Sequence, residues 1–154
     1  MIRILPYTDD MKQKLFDLTD NCFRQCAKIF EPHGRHSYYN DIVQNFVQFL
    51  CMFDDDKMIG TVGLKRLGVN DCELKALYLD EKYHGMGLGS RLARQALELA
   101  RQGGFEQIYL DCISDSHDAI RLYEKLGFYK TQRYNENIFA DVFMKMPLQA
   151  PQSI

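Results

Sequence analysis

Residues 83–92, YHGMGLGSRL, place glycines at positions 85, 87 and 89 directly ahead of a helical stripe of apolar residues. The run before them, CELKALYL, is strand-like, so the chain must pass from a strand through a glycine loop into a helix. Each glycine costs roughly 0.5–1 kcal/mol of folding free energy relative to alanine. The loop therefore needs either positive φ angles or a partner that approaches the backbone more closely than a Cβ would permit. Main-chain N–H groups that converge at a helix N-terminus form an anion site, suited to a phosphate or pyrophosphate.

Two well-known phosphate loops can be compared with this one. A P-loop needs Gly-Lys-Ser/Thr, and here Gly89 is followed by Ser90 and Arg91, so that pattern fails. A dinucleotide-binding fingerprint requires an acidic residue ~20 residues after its glycines, and Asp111 lies at about that separation. However, Ser90 stands where its third Gly or Ala should be, and DEKYH separates the strand from Gly85. A dinucleotide-binding oxidoreductase and a purely structural turn remain the weaker alternatives.

The rest of the chain has the pattern of one α/β (α+β) domain. Its 154 residues are 46% hydrophobic and 26% charged, which is typical of one globular domain with a real core. Short polar turns, DDDK and GVND, join three extended runs and predict antiparallel hairpins. We expect a single domain over residues 1–147 and a mobile tail over residues 148–154.

Composition and charge argue against several classes of partner. The net charge is −2 without a clustered basic segment, so nucleic acid is not expected as a partner. No apolar run approaches the ~20 residues that span a membrane, and the N-terminus lacks the apolar region of a signal peptide. The five cysteines form no CxxC pair, which disfavours both a disulfide framework and a zinc site. We expect a cytoplasmic protein.

Two segments resemble the GNAT family of acetyl-CoA-dependent N-acetyltransferases. ELKALYLDEKYHGMGLGSRL resembles the family's signature strand and its Gln/Arg-x-x-Gly-x-Gly/Ala loop, with Gly87 and Gly89 in the glycine places. YLDCISDSHDAIRLYEKLGF resembles its Asn-x-x-Ala-x-x-x-Tyr-x-x-x-Gly-Phe segment, with matches at Ala119, Tyr123 and Gly127–Phe128. The order of strands and helices agrees along nearly the whole chain. The resemblance implies a mixed, mostly antiparallel sheet of about seven strands flanked by about four helices.

The resemblance also implies a function. The chain would be a transferase of the acyltransferase class that moves an acetyl group from acetyl-CoA to a primary amine, by direct transfer in a ternary complex. Acetyl-CoA is then a co-substrate, and no metal is needed. A catalytically silent acyl-CoA-binding module is the alternative. The sequence does not identify the acceptor, which is either a small molecule or a protein amino group. It also does not show whether other acyl groups are used or whether the protein forms a homodimer.

Cofactor contacts carry over by position. The resemblance implies a pantetheine arm along the backbone of Leu77, Tyr78 and Leu79, where two strands splay apart. Two positions depart from the family pattern, since His84 replaces Gln or Arg and Ser116 replaces Asn; both keep polar groups that could contact the cofactor. The loop that would wrap the pyrophosphate consists of Gly85, Met86, Gly87, Leu88, Gly89 and Ser90.

Three side chains are candidates for catalysis. Tyr123 matches the family's usual general acid, but a phenol of pKa about 10 gives its proton to a thiolate of about 8.5 only at a cost of roughly 2 kcal/mol. We therefore expect it to share a hydrogen bond with the sulfur. Glu73 and Asp111 both remain candidates for the general base, and by the same resemblance the N–H of Leu79 would be the oxyanion donor.

The acceptor pocket is expected between the first helices, the loop EPHGRHSYY and the last hairpin around YNENIFAD. Arg35, His33 and His36 are candidates for contacting an acidic group on the acceptor, with ordinary polar loop residues as the competing interpretation.

Overall fold

The computed structural model describes residues 1–148, which form one mixed sheet with helices on both faces. The strands are β1 (Ile2–Pro6), β2 (Gln48–Asp54), β3 (Lys57–Arg66), β4 (Asp71–Leu79), β5 (Gln107–Cys112), β6 (Tyr129–Thr131) and β7 (Val142–Pro147). Their order in the sheet is β1-β2-β3-β4-β5-β7-β6. Every neighbouring pair is antiparallel except β4 and β5. The expected mostly antiparallel sheet of seven strands is therefore confirmed.

The helices are α1 (Lys12–Gln25), α2 (Ile42–Asn45), α3 (Leu88–Gln102) and α4 (His117–Leu126). The helical segment expected around residues 39–47 is shorter than the pattern suggests, because a 3₁₀ turn over Ser37–Asp41 precedes the single turn of α2. Among the described residues, no helix has the length and apolar character that crossing a bilayer would require.

Two hydrophobic cores lie on opposite faces of the sheet. Strand alternation sends Leu50 and Met52 to one face and Cys51 and Phe53 to the other. The first core packs under α3 and α4, with Leu92, Ala96, Leu97 and Ala100 supplied by α3. The second core packs under α1 and α2 and is rich in aromatic rings. Each face of the sheet is thus covered by helices that pack on an apolar core.

Strand β4 bends sharply at Ala76, which has a φ of 55°. The pairing with β3 shifts register between Thr61 and Gly63, and the buried Thr61 hydroxyl donates to the Ala76 carbonyl at 2.7 Å. A bulge of this kind bends its strand away from the regular ladder. The parallel pairing of β4 with β5 correspondingly ends at Glu73 and Tyr109. Beyond that point β4 and β5 separate, as the family resemblance implied.

The C-terminal boundary needs one correction. Leu148, placed in the tail by the sequence analysis, is only 2% exposed and belongs to the first core. Its N–H donates to the Glu106 carbonyl at 2.8 Å, and its carbonyl accepts from Arg101 Nε at 2.9 Å. The rest of the predicted tail, residues 149–154, lies outside the described residues. All five cysteines are free thiols.

Candidate active site

The three glycines of the loop differ in whether the backbone conformation requires glycine. Gly85 and Gly87 have φ of 81° and 75°, a left-handed conformation that other residues rarely adopt. Gly87 is also the N-cap of α3. Gly89 lies in the first turn without a positive φ, and a Cβ added there would meet only Leu122, at an ordinary 3.9 Å. Neither the backbone nor the packing therefore requires glycine at position 89.

The loop leaves a row of main-chain donors unpaired. The first amide of the α3 ladder is that of Arg91, which donates to the Gly87 carbonyl at 3.1 Å. The N–H groups of residues 85–90 donate to no atom of residues 1–148. They lie at the positive end of a 15-residue helix, where an anion is stabilised.

A buried aspartate holds the loop in this shape from behind. Asp80 is 2% exposed and accepts from the N–H of Lys82 and from Gln25 Nε2, both at 3.1 Å. Gln25 Oε1 in turn accepts from the N–H of Glu81 at 3.0 Å. These bonds order the loop entrance without using the donors of residues 85–90.

The two residues that depart from the family pattern have distinct places. His84 Nε2 lies 2.9 Å from the Leu79 carbonyl, so the ring ties the loop to the end of β4. Ser116 is the N-cap of α4, and its side chain makes no capping bond to that helix. The structure thus gives His84 a bracing contact that the sequence did not indicate.

The separated strands expose one edge of β4. The Asp80 N–H donates to Ile59 on β3 at 2.9 Å. Because successive residues of a strand direct their N–H groups to opposite edges, the Leu79 N–H points away from β3 and into the gap beside β5. The same alternation puts the backbone of Leu77 on that edge. These groups are free to bind an extended ligand.

Tyr123 is the buried tyrosine of α4. It is 8% exposed and packs edge-on against Phe128, with ring centroids 5.8 Å apart. This contact was predicted from the cap at Gly127, which has a φ of 111° and returns the chain so that Phe128 N–H donates to Tyr123 at 3.0 Å. Burial raises the pKa of the Tyr123 phenol well above its usual value, and Cys112 and Asp111 add to the shift. The phenol therefore stays protonated, and its hydroxyl has no partner within residues 1–148.

The two candidate bases are joined by a side chain that the sequence analysis missed. Asn135 Nδ2 donates to Asp111 Oδ2 at 2.7 Å and lies 3.3 Å from Glu73 Oε2. The Tyr134 hydroxyl donates to the same Glu73 oxygen at 2.5 Å, and Asn137 Nδ2 donates to Asp111 Oδ2 at 3.2 Å. Burial and the Glu73 charge raise the pKa of Tyr134 far above its usual value. One oxygen of each carboxylate is held, while Glu73 Oε1 and Asp111 Oδ1 accept from no group within residues 1–148.

A basic cavity adjoins the glycine loop. Gly87, Ser90, Arg91, Arg94 and Gln95 line a cavity of about 410 Å³ at the start of α3. Arg94 Nε donates to Ser90 Oγ at 3.2 Å, which holds that guanidinium near the start of the helix. The sequence analysis gave neither arginine a role, although their position one turn apart after the glycines was a usable signal.

The predicted acceptor-side residues separate into different environments. His36 is 6% exposed, its Nδ1 accepts from the Glu31 N–H at 3.0 Å, and its ring packs on Phe23 and Phe30. Burial, assisted by Arg35, lowers the pKa of His36. A neutral, enclosed ring of this kind supports the loop and is not available to bind an acid.

The other two residues of that loop are at the surface. The Arg35 guanidinium lies 3.7 Å from the centroid of the Phe139 ring, which joins this loop to the last hairpin. His33 is exposed. Within residues 1–148, no group of three or more His, Cys, Asp or Glu side chains has the arrangement of a metal site.

Comparisons with known proteins agree with this geometry. The family model described as "Acetyltransferase (GNAT) family" matches residues 12–128. N-alpha-acetyltransferase 30 of Schizosaccharomyces pombe is 26% identical over 138 residues, which cover 86% of this chain and 87% of that protein. Two other curated relatives are longer, and the matches span 34% and 45% of their length.

Solved structures share the fold over nearly the whole chain. A GNAT acetyltransferase from Staphylococcus aureus Mu50 superposes with a TM-score of 0.88 at 21% identity, covering 97% of this chain and 100% of that one. PaiA N-acetyltransferase from Thermoplasma acidophilum, solved in complex with coenzyme A, gives a TM-score of 0.77 at 21% identity and covers 96% and 99%.

Proposed function

This chain belongs to the acetyltransferase (GNAT) family, and from that premise we propose that it transfers an acetyl group from acetyl-CoA directly to a primary amine. The observation that carries the proposal is the row of unpaired N–H donors at residues 85–90 beside the gap between β4 and β5. Together they match a ligand with a diphosphate at one end and an extended amide arm at the other.

The residues present fit acetyl-CoA. The N–H groups of residues 85–90 would hold the pyrophosphate, with Arg91 and Arg94 adding positive charge beside it. The pantetheine arm would lie along the free edge of β4 at Leu77, Tyr78 and Leu79, and Ser116 at the start of α4 would contact it. When bound, the coenzyme supplies the acetyl thioester.

We propose that two groups of the chain stabilise the reaction at the thioester. We assign the Leu79 N–H, which faces the gap, as the donor to the oxyanion that develops on the acetyl carbonyl. Tyr123 donates a hydrogen bond to the departing sulfur. Because burial raises the pKa of Tyr123, full proton transfer from it is even more uphill than in water, and stabilisation by hydrogen bonding is the role that remains.

For the general base we favour Asp111 over Glu73. The parallel pairing of β4 with β5 ends at Glu73 and Tyr109, and Asp111 lies two residues beyond Tyr109 on β5. Asp111 is therefore the carboxylate further along the gap in which the thioester would lie. Its free oxygen, Oδ1, would receive a proton from the amine, while the side-chain amides of Asn135 and Asn137 hold its other oxygen in place.

The chemistry of deprotonation favours an α-amine as the acceptor. A lysine-like amine of pKa ~10.4 is neutral in only about one molecule in 10³ at pH 7, at a cost of about 4–5 kcal/mol, whereas an α-amine of pKa near 8 needs far less. The curated relative from Schizosaccharomyces pombe is named for N-alpha acetylation. We propose an α-amine on a peptide or small molecule, and a cytoplasmic location consistent with five free thiols.

Thiol release from acetyl-CoA, measured with a panel of amines, tests this function. We expect release above hydrolysis with at least one α-amine, and calorimetry should detect acetyl-CoA binding but no NAD(H) binding. Tight CoA binding without thiol release for any amine would instead identify a catalytically silent binding module. NAD(H) binding without CoA binding would overturn the proposal.

A further inference from the structure

Two lysines converge on one aromatic ring on the acceptor side of the sheet. Lys65 on β3 and Lys75 on β4 place their Nζ atoms 5.2 and 5.7 Å from the centroid of Tyr38. Lys65 Nζ also lies 5.8 Å from the centroid of Phe46. Both side chains are half-buried. The rings hold the two ammonium groups near each other by cation–π attraction.

Neither ammonium has a carboxylate partner. Within residues 1–148, no Asp or Glu oxygen lies within 4.0 Å of Lys65 Nζ or Lys75 Nζ. Glu73 is directly opposite Lys65 in the strand register, yet its bound oxygen faces Tyr134 and Asn135. Burial, with Lys75 next in size, lowers the pKa of Lys65, and the charge of Glu73 opposes this shift. Two like charges held half-buried with no carboxylate oxygen in direct contact are costly, and an anion bound between them would relieve that cost.

The lysines share a sheet face with the proposed base. In the sheet, Glu73 is paired with Lys65 on one side and with Tyr109 on the other. Lys75 lies two residues after Glu73 on β4, and Asp111 lies two residues after Tyr109 on β5. Alternation therefore puts all of them on one face. The Tyr38 ring contacts both ammonium groups. Burial is the main cause of its raised pKa; the charges of Lys75 and Arg35 lower the pKa, and those of Asp111 and Glu73 raise it.

From this arrangement we infer that Lys65 and Lys75 form an anion subsite that binds a carboxylate or phosphate carried by the amine acceptor. The acceptor would be an amino acid, an acidic peptide or a similar molecule, with its amine at Asp111 and its anionic group at the lysines. The inference rests on the proposed function, because it assigns the amine end to the acetyl-transfer site.

Kinetics with matched acceptors test the subsite. The acceptors are tripeptides with Glu or Gln at position 2 or 3, and amino acids paired with their amides, all with a free α-amine. We expect the wild type to prefer the anionic member of at least one pair by about tenfold or more in kcat/KM, mainly through KM. The peptide and small-molecule arms distinguish the two sources of the anion.

Charge removal must abolish that preference. In the double variant Lys65→Met, Lys75→Met the kcat/KM ratio should fall toward one while the neutral acceptor is little changed. Lys65→Arg, Lys75→Arg should retain the preference, and Lys125→Met on the exposed side of α4 is the matched control. A wild type without preference, or a double variant with the wild-type ratio, overturns the inference.

Binding provides a readout that needs no turnover. Calorimetry in the presence of CoA should show the N-acetylated Glu peptide binding about tenfold more tightly than its Gln counterpart, and Lys65→Met, Lys75→Met should remove the difference. Equal binding of both products to the wild type overturns the subsite. If CoA binds and no amine is acetylated, the proposed function fails, while this comparison still decides whether the anion subsite exists.

Discussion

The cofactor side and the acceptor side of this molecule differ in the groups that they present: main-chain groups on the cofactor side and side chains on the acceptor side. On the cofactor side, the groups that we propose for binding belong mainly to the main chain: the N–H donors of residues 85–90 and the free edge of β4 at Leu79. On the acceptor side, side chains from separate segments meet, as Asn135 does with Glu73 and Asp111. A backbone site tolerates most side-chain changes, provided nothing blocks the approach. A side-chain site depends on each residue and its partners.

The largest expected effect comes from blocking the backbone site at Gly89. Gly89→Val keeps a helical conformation but puts a branched side chain beside the unpaired donors. If two charge-assisted hydrogen bonds are lost, at roughly 1.5 kcal/mol each, the Kd of acetyl-CoA rises about 100-fold. Calorimetry measures this change directly.

The matched control for that change is Gly68→Val. Gly68 also lacks a positive φ and has open space where its Cβ would lie, but it is in the turn between β3 and β4. The control should bind acetyl-CoA normally. An unchanged Kd in Gly89→Val would remove the loop from cofactor binding.

A smaller effect is expected where the two sides meet, at Tyr123. Tyr123→Phe keeps the ring contact with Phe128 and removes only the hydroxyl, so kcat should fall about 20-fold, as expected for one hydrogen bond to a developing anion. The Kd of acetyl-CoA should change little. Steady-state kinetics and calorimetry separate the two quantities, with the exposed Tyr129→Phe as control. Equal kcat in mutant and wild type would exclude Tyr123 from the mechanism.

On the acceptor side, Asn135→Ala should lower kcat/KM for the amine about tenfold. The variant removes the amide that joins the two carboxylates and leaves Asp111 with only the longer hydrogen bond from Asn137, so the base is held less firmly. Acetyl-CoA binding should be preserved, in contrast to Gly89→Val. Asn70→Ala, in an exposed turn, is the control. A loss of acetyl-CoA affinity equal to the loss in kcat/KM would show that the two sides are not separable.

The smallest effect is expected on the pH dependence of stability, through His36 in the loop of the acceptor side. Its pKa is lowered by burial, so below the usual value of about 6.5 the unfolded chain binds a proton that the folded chain does not. The contribution of His36 to the free energy of unfolding is therefore fully present above about pH 6.5. As the pH falls below that value, this contribution decreases by at most about 1.4 kcal/mol per pH unit.

Urea unfolding at pH 7.5 and 5.5 measures that loss. In His36→Asn, the amide oxygen can still accept from the Glu31 N–H but does not titrate. We expect a smaller loss of unfolding free energy in this variant than in the wild type. An identical pH dependence in both proteins would contradict the assigned role.

The same contrast explains what the sequence could reveal. The strand, glycine loop and helix are continuous in sequence, so local rules predicted the loop and also the return of Phe128 over Tyr123 after Gly127. Asn135 lies in an irregular segment with no periodicity, and only tertiary structure brings it to Glu73, which is 62 residues away. Lys65 and Lys75 have the ordinary pattern of strand residues.

The bend of β4 was also beyond local rules. Alanine has no preference for the positive φ found at Ala76, and the conformation is fixed by the hydrogen bond from Thr61. The family resemblance implied that the strands part, but residue propensities did not. The sequence analysis also placed Leu148 in the tail, but its backbone hydrogen bonds to Glu106 and Arg101 keep it in the core.

A crystal structure with bound CoA tests the central claim most directly. Our account predicts pyrophosphate oxygens within about 2.7–3.2 Å of the main-chain nitrogens of residues 85–90, and a pantetheine arm along Leu77 and Leu79 between β4 and β5. A structure in which the diphosphate binds elsewhere while those nitrogens face solvent would contradict it.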